Sequence, residues 1–263
     1  MQTSLNTSDT LQVTASRDAA PATRVTRLED WLPPMLSIVA GMVDLTGFYT
    51  LGNVFTAHVT GNLVVVTAAL VAGEPFRWAQ AVAIPIFMLA VAAVWLIARS
   101  SARQSAGLVR LLLIVQFVLL ATVLIVGVWA KPSTQPHGLI AGAAAMLAVA
   151  AMACQFALMR LAMPHAVSTA VMTGNLTNFV LSSMDLLSGS PSRSVGDKNR
   201  WVQSALLLCG FLGGCGIAAV AVRMFADWAW VGPVVLAAIL TLVVAREDIT
   251  TNPTHMSEGP RIG

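Results

Sequence analysis

The sequence predicts an all-α, polytopic membrane protein, and three observations lead to this prediction: its hydropathy, its shortage of charge and the length of its charge-free stretches. Of its 263 residues, 57% are hydrophobic and 10% are charged, and the mean hydropathy is +0.77. Soluble domains carry about 25% charged residues and have too little interior to hide this much apolar surface. We therefore expect lipid to surround most of the chain, and the formal charge of +3 does not indicate nucleic-acid binding.

Charge-free stretches predict the positions of the spans. Continuous apolar runs near the roughly 20 residues of one crossing favour helices over alternating strands. With breaks at glycine, proline and charged residues, they predict eight spans: 32–51, 55–73, 78–98, 110–130, 138–160, 167–187, 201–222 and 227–245. Only Gly52, Asn53 and Val54 separate the first two. A tight hairpin and one broken helix are both consistent with so short a gap.

The two ends of the chain have a different composition. Residues 1–30 are rich in Ser and Thr and lack the apolar core of a signal peptide. We expect a disordered cytoplasmic tail there, with a short surface helix at Thr23–Trp31 as the alternative, and a flexible tail over 246–263. With eight spans, most Lys and Arg residues fall on the side of both termini, which predicts cytoplasmic termini.

A short pattern occurs twice and predicts an internal duplication. Phe55–Leu63 and Ser168–Leu176 share Thr-Ala followed, two residues later, by Thr-Gly-Asn-Leu. The predicted repeats are 31–130 and 131–245, with four spans each. An even number of spans gives both halves the same orientation about an axis along the membrane normal, whereas an inverted repeat requires an odd number.

The repeated Thr60-Gly61-Asn62 and Thr173-Gly174-Asn175 are unfavourable within a helical span. Glycine costs about 1 kcal/mol relative to alanine in a helix interior, and a buried amide needs hydrogen-bond partners. Two helices interrupted near the midplane would form a substrate site from their free backbone groups. The alternative is packing, in which glycine allows close helix approach while Thr and Asn bridge neighbouring helices.

Asp44 is a further candidate for the substrate site, and Asp44 and His58 are the candidates for proton coupling. An intramembrane carboxylate costs roughly 2.5–3.5 kcal/mol on insertion scales and marks a functional site by default, and histidine titrates near physiological pH. A structural carboxylate and a packing histidine are the alternatives. The second repeat has Ala157 and Val171 at the matching positions, while Gln155 adds a polar group to the predicted substrate site.

Other polar and small residues have simpler interpretations. Arg160 either pairs with Asp44 or extends its charged end to the interface. Gly210-Phe-Leu-Gly-Gly214 predicts a helix-packing face. The odd cysteine count within apolar spans indicates packing rather than disulfides.

The two motifs resemble the signature of the YoaK family, bacterial membrane proteins of unknown function that are sometimes described as small permeases. The first motif is GMVDLTGFYTLGNVFTAHVTGN over 41–62, and the second comprises ACQFALMR over 153–160 and STAVMTGNLT over 168–177. The likeness covers most of 33–245, with Cys154 and Phe156 where the family has glycine and asparagine. The resemblance implies a bacterial inner-membrane location and supplies no substrate.

Motif chemistry favours transport over catalysis. The sequence has no phosphate-binding loop, no His-Glu-x-x-His, no paired cysteines for a metal and no Gly-x-Ser-x-Gly. We therefore predict no enzyme, no cofactor and no metal. The predicted partners are the lipid bilayer and a small-molecule or ion solute, and a homo-oligomer is allowed. The predicted function is a secondary transporter or permease; the alternative is a non-transporting scaffold, sensor or assembly protein.

Overall fold

Helices joined by short connections make up the described part of the chain, which contains no strand. The computed structural model describes residues 7–100, 105–163, 166, 169, 172–188 and 195–251. The α-helices are α1 Thr7–Thr50, α2 Gly61–Val71, α3 Trp78–Ser100, α4 Ser105–Ala130, α5 Leu139–Ala162, α6 Met172–Ser188, α7 Val195–Phe225 and α8 Val231–Thr251. Short 3-10 helices lie at Pro132–Thr134 and Ala226–Trp230. The predicted all-α class is confirmed.

Five apolar helical stretches are long enough to cross a membrane. They are Leu28–Thr50, Trp78–Arg99, Gly107–Ala130, Leu139–Ala162 and Trp201–Glu247. The last one contains most of α7, the second 3-10 helix and most of α8, and its 47 residues are about twice the length that one crossing needs. These helices are those of a multi-pass membrane protein.

The prediction of eight complete spans is not confirmed, because α2 is too short. It has 11 residues, which at 1.5 Å per residue is about 16 Å, or half of the roughly 30 Å hydrocarbon core. Residues 55–60, expected in the second span, form irregular backbone instead. In the sixth predicted span, the described helix is Met172–Ser188 and has 17 residues.

The N-terminal stretch also differs from the expected disordered tail. The helix α1 begins at Thr7 and continues without interruption to Thr50. Residues 7–30 contain no glycine and one proline, Pro21. Since extending an existing helix is easier than nucleating one, the apolar span can propagate its helix backwards through this stretch. Residues 1–6 and 252–263 of the two predicted tails lie outside the described part.

The end of α1, the start of α3 and the α4–α5 connection meet at one end of the bundle. The Gln80 side-chain amide donates a hydrogen bond to the Gly52 carbonyl at 2.6 Å. Gly52 lies directly against the Pro136 carbonyl oxygen, and Trp78 lies against Gly142 at the start of α5. We call this end A. Because α1 finishes where α3 and α5 begin, α3 and α5 both run antiparallel to α1.

The α7–α8 connection lies at end A as well. Asp227 accepts hydrogen bonds from the Ser133 amide and hydroxyl. The Trp230 indole donates to the Thr50 hydroxyl at 3.1 Å. Therefore α7 runs towards end A and α8 runs away from it.

Glycines on α7 confirm the predicted packing face. Gly210 lies against Pro34, and Gly214 lies against the Ile38 carbonyl. On α1, Gly41 lies against Phe211 in return. The matching order of these contacts shows that α1 and α7 are parallel and so close that a Cβ on Gly41 or Gly214 would overlap the facing backbone.

The opposite end, end B, holds the second short helix. The Trp201 indole donates to the Ser183 hydroxyl at 2.8 Å, and its ring stacks on Phe179 with centroids 5.6 Å apart. Trp201 lies in the first part of α7, about 36 Å from Phe225 by helix rise. Thus α6 packs on the first part of α7 near end B, where α5 also ends.

The helix pairs that pack together form a regular set. Exchanging α1 with α5, α2 with α6, α3 with α7 and α4 with α8 converts each pair into another that is also packed. The packed pairs are α1–α7 and α3–α5, α1–α8 and α4–α5, α2–α3 and α6–α7, and the self-matching α1–α5 and α4–α8. The most buried spans are α1 and α5, which therefore form the centre of the bundle.

Candidate functional site

The site lies where the chain turns back after α1. Gly52 and Asn53 have φ values of +76° and +62°, a left-handed conformation that reverses the chain and that glycine adopts without strain. Residues 54–60 then return along the end of α1 to Asp44. Asp44 lies six residues before Thr50, or about 9 Å below the helix end.

The Asp44 carboxylate holds this returning segment with one oxygen. Its Oδ1 accepts hydrogen bonds from the backbone N–H groups of Thr56 at 2.7 Å and Ala57 at 2.9 Å. The Thr56 hydroxyl adds a longer bond of 3.4 Å to the same atom. Backbone groups of irregular segments need such partners in lipid, so this oxygen has a structural role.

The second oxygen of Asp44 pairs with His58. The distance from Oδ2 to the His58 Nδ1 is 2.7 Å. Asp44 is buried, with 6% of its side chain exposed, whereas 36% of the His58 side chain is exposed. The Nδ1 contact leaves Nε2 for exchange with the surroundings, and within the described part of the chain Nε2 has no hydrogen-bond partner. The two predicted proton-coupling residues are therefore in direct contact.

An open pocket of about 460 Å³ adjoins this pair. Its wall comes from the end of α1, from the returning segment and from α7. The lining residues are Asp44, Leu45, Phe48, Tyr49, Phe55, His58, Phe211 and Cys215. Four of them are aromatic, and the His58 ring meets the Phe211 ring edge-on with centroids 5.0 Å apart.

Asn62 closes the returning segment into a loop. Its amide donates to the Phe55 carbonyl at 2.7 Å, and its side-chain oxygen accepts from the Phe55 N–H at 2.8 Å. Gly61, the first residue of α2, faces the Phe55 ring. Thr60 is exposed and makes no side-chain cap of α2. In this half, Gly61 and Asn62 therefore hold Phe55 in the pocket wall, and Thr60 does not take part.

Residues 33–243 match the family described as protein of unknown function (DUF1275). The chain belongs to this family. The match spans both sequence motifs, and the resemblance to YoaK-type proteins is confirmed. No curated protein and no solved structure matches the chain.

The second Thr-Gly-Asn does not line the pocket beside Asp44. Thr173, Gly174 and Asn175 occupy the first turn of α6, with Asn175 buried and Thr173 exposed. The helix α6 packs on α7, whereas α2 packs on α3, and no described residue of α6 lines the pocket beside Asp44. Among the described residues, α2 and α6 thus do not form one of the packed helix pairs.

Gln155 forms a separate polar contact at the centre of the bundle. Its amide donates to the Leu36 carbonyl at 2.9 Å, and its oxygen accepts from the Gln116 amide at 2.7 Å. Sequence reasoning missed Gln116, although an amide inside the charge-free stretch 111–130 was a usable signal. The contact joins α1, α4 and α5 and does not reach the pocket.

One further prediction is decided by position. Arg160 is exposed at the end-B side of α5, whereas Asp44 lies near end A, so Arg160 extends outward and does not pair with Asp44. In the described part, no group of three His, Cys, Asp or Glu side chains is arranged to hold a metal ion.

Proposed function

We propose that this protein is a proton-linked secondary transporter of the bacterial inner membrane and that Asp44 and His58 carry the proton. The contact that supports this most is the 2.7 Å pair between Asp44 Oδ2 and His58 Nδ1 beside an open pocket. We also propose that lipid and a small solute are its partners and that it catalyses no reaction.

The two carboxylate oxygens of Asp44 have different partners, and this difference favours a role in proton transfer. Holding the returning segment needs only Oδ1, which an asparagine would also supply. That structural need does not explain why Asp44 carries a negative charge, which is costly to bury. It also does not explain the contact between Oδ2 and the His58 imidazole. When His58 is protonated the pair has no net charge, and when His58 loses its proton the pair is negative. In a low-dielectric site this difference is large enough to bias one conformation over another.

We further propose six membrane crossings in place of eight: α1, α3, α4, α5, α7 and α8. The returning segment with α2 enters and leaves at end A, and α6 is a short helix at end B that does not cross. Each half then has three crossings, so the halves are inverted relative to each other. The exchange pattern of packed helix pairs supports this duplication, and re-entrant, interrupted segments are typical of inverted-repeat transporters.

The distribution of basic residues supports the same topology. By chain order, all of the 15 Lys and Arg residues fall on the end-B side except Arg77, Lys131 and Arg223. This asymmetry is stronger than the one that eight crossings produce. By the positive-inside rule, end B and both termini are cytoplasmic.

The topology is tested by cysteine labelling. In a background with Cys154, Cys209 and Cys215 replaced by alanine, we expect a membrane-impermeant maleimide to label Thr134→Cys but not Thr3→Cys in spheroplasts, and the reverse in inverted vesicles. Eight crossings place both positions on one side. Equal labelling of both would therefore contradict the six-crossing topology.

The function is tested in proteoliposomes containing a pH-sensitive dye. Candidate solutes are added one at a time, with and without an imposed pH gradient, and proton movement is recorded. We expect at least one solute to move protons through the natural protein, and expect Asp44→Asn and His58→Gln to abolish this movement. Asp185→Asn, at an exposed carboxylate on α6, is the matched control and should leave it unchanged. If no solute distinguishes the natural protein from Asp44→Asn, the proposal is wrong.

A non-transporting scaffold or assembly protein is the second candidate. It is favoured by the structural use of Asp44 Oδ1 and of Asn62, which both serve backbone groups. Under this alternative, Asp44→Asn should keep the protein's full role in cells. A deletion strain complemented equally by the natural protein and by Asp44→Asn would support it.

A further inference from the structure

We propose that the pocket beside Asp44 binds a compact organic cation, an ammonium group carried on one apolar ring. Binding can be measured without transport, and only the exchange of this cation for a proton rests on the proposed function. Three features of the pocket lead to this class of ligand: its aromatic wall, the sign of its charge and its size.

The aromatic wall suits a cation with an apolar body. Phe48, Tyr49, Phe55 and Phe211 line the pocket, and the Phe48 and Phe55 rings lie 4.8 Å apart at a tilt of 39°. Aromatic faces attract ammonium groups through the ring quadrupole, and several rings around one site are typical of quaternary ammonium recognition.

The charge at the base of the pocket is negative or zero. On the three elements that form the pocket, the titratable lining residues are Asp44 and Tyr49 on α1, His58 on the returning segment and Cys215 on α7. No lysine or arginine is among the described lining residues. An anionic solute would meet a buried carboxylate without a basic partner of its own, whereas a cation compensates that carboxylate once His58 is neutral.

His58 makes the proton and the cation competitors. When His58 is protonated, its imidazolium compensates the charge of Asp44. When His58 is neutral, the bound cation compensates it instead. Raising the pH removes the proton from His58 and with it the imidazolium that compensates Asp44. The cation should therefore bind more tightly as the pH rises. In a transporter, this competition would exchange one cation for one proton.

The size of the pocket limits the ligand to small molecules. Its volume is about 460 Å³, in the lower half of the roughly 300–1,000 Å³ range of small-molecule pockets. Phenyltrimethylammonium is small enough to enter this volume and keeps its charge at every pH, so any pH dependence of its binding reports on the protein. Its neutral isostere, tert-butylbenzene, has the same shape without the charge.

The experiment measures binding of both probes to the purified full-length protein in lipid nanodiscs by calorimetric titration between pH 5 and pH 8. We expect phenyltrimethylammonium to bind at least about tenfold more tightly than tert-butylbenzene and to gain affinity as the pH rises. Equal binding of the two probes, or binding by the neutral probe alone, would mean that the pocket accepts any apolar group, such as a lipid chain, and would overturn the proposal.

Three variants make the assignment specific. Asp44→Asn keeps the Oδ1 acceptor and should lose cation binding by at least tenfold. His58→Gln should keep binding but lose its pH dependence. Tyr49→Leu, at a side chain that is 63% exposed and so tolerant of change, should weaken binding roughly 2–10-fold, the range expected for one cation–π contact. An unchanged affinity in both Asp44→Asn and Tyr49→Leu would refute the site.

The outcomes separate binding from transport. Cation binding that depends on Asp44, combined with no proton movement in proteoliposomes, would keep the binding site and reject the transporter. Proton movement with another solute, combined with no cation binding, would keep the transporter and reject the cation.

Discussion

Replacing Asp44 by alanine tests whether one carboxylate oxygen holds the returning segment. The substitution removes the acceptor of the Thr56 and Ala57 N–H groups, and both residues are buried. Each buried donor left without a partner costs about 1–3 kcal/mol, so the free energy of unfolding should fall by roughly 2–6 kcal/mol. Asparagine keeps the oxygen but loses its charge, and its expected cost is about 1 kcal/mol, the difference between charged and neutral hydrogen bonds.

The assay is equilibrium unfolding in mixed micelles with increasing dodecyl sulfate, followed by tryptophan fluorescence. The expected order of stability is the natural protein, then Asp44→Asn, then Asp44→Ala. Asp185→Asn is the matched control at an exposed carboxylate and should not change the unfolding midpoint. If Asp44→Ala proves as stable as Asp44→Asn, the backbone contacts of Oδ1 do not stabilise the fold, and the structural role assigned to this oxygen is wrong.

Two glycine pairs give further predictions in the same unfolding assay. Gly214→Leu should cost about 3 kcal/mol, at the upper end of overpacking penalties, because its Cβ would overlap α1, whereas Gly213→Leu on the open side of α7 should cost little; equal losses would contradict the parallel α1–α7 contact. Gly52→Ala should cost more than Gly73→Ala, because both have positive φ but only Gly52 lies against a neighbouring backbone. Equal losses there would mean that backbone strain alone, rather than the contact at end A, makes glycine necessary.

Much of the fold follows from local chemistry. Long apolar runs without charge predict helices, because lipid offers the backbone no other partners, and the predicted spans around α3, α4 and α5 agree with the structure to within a few residues. Small residues four apart at Gly210 and Gly214 correctly predicted a close helix contact, since only a side chain of that size permits one. The cost of a carboxylate in an apolar span likewise made Asp44 a candidate before its partners were known.

The chain path at residues 51–60 could not be predicted in the same way. The apolar content of 55–73 is high enough for a span, and hydropathy does not tell a crossing helix from a segment that enters and returns. The difference depends on Asp44, whose oxygen supplies partners to Thr56 and Ala57 and so permits irregular backbone there. Asp44 lies on α1, 12 residues before Thr56 in the chain. The contact between them therefore becomes visible only in three dimensions.

The same limit applies to the proposed direction of the repeat and to the composition of the site. Residue types along the chain set how much of it enters lipid and where helices form, because both are sums of local free energies. How many times the chain crosses, which ends meet and which side chains surround Asp44 depend on contacts between distant residues, such as Gly52 with Pro136 and His58 with Phe211. Such contacts follow from packing geometry, which cannot be obtained by adding the free energies of separate residues.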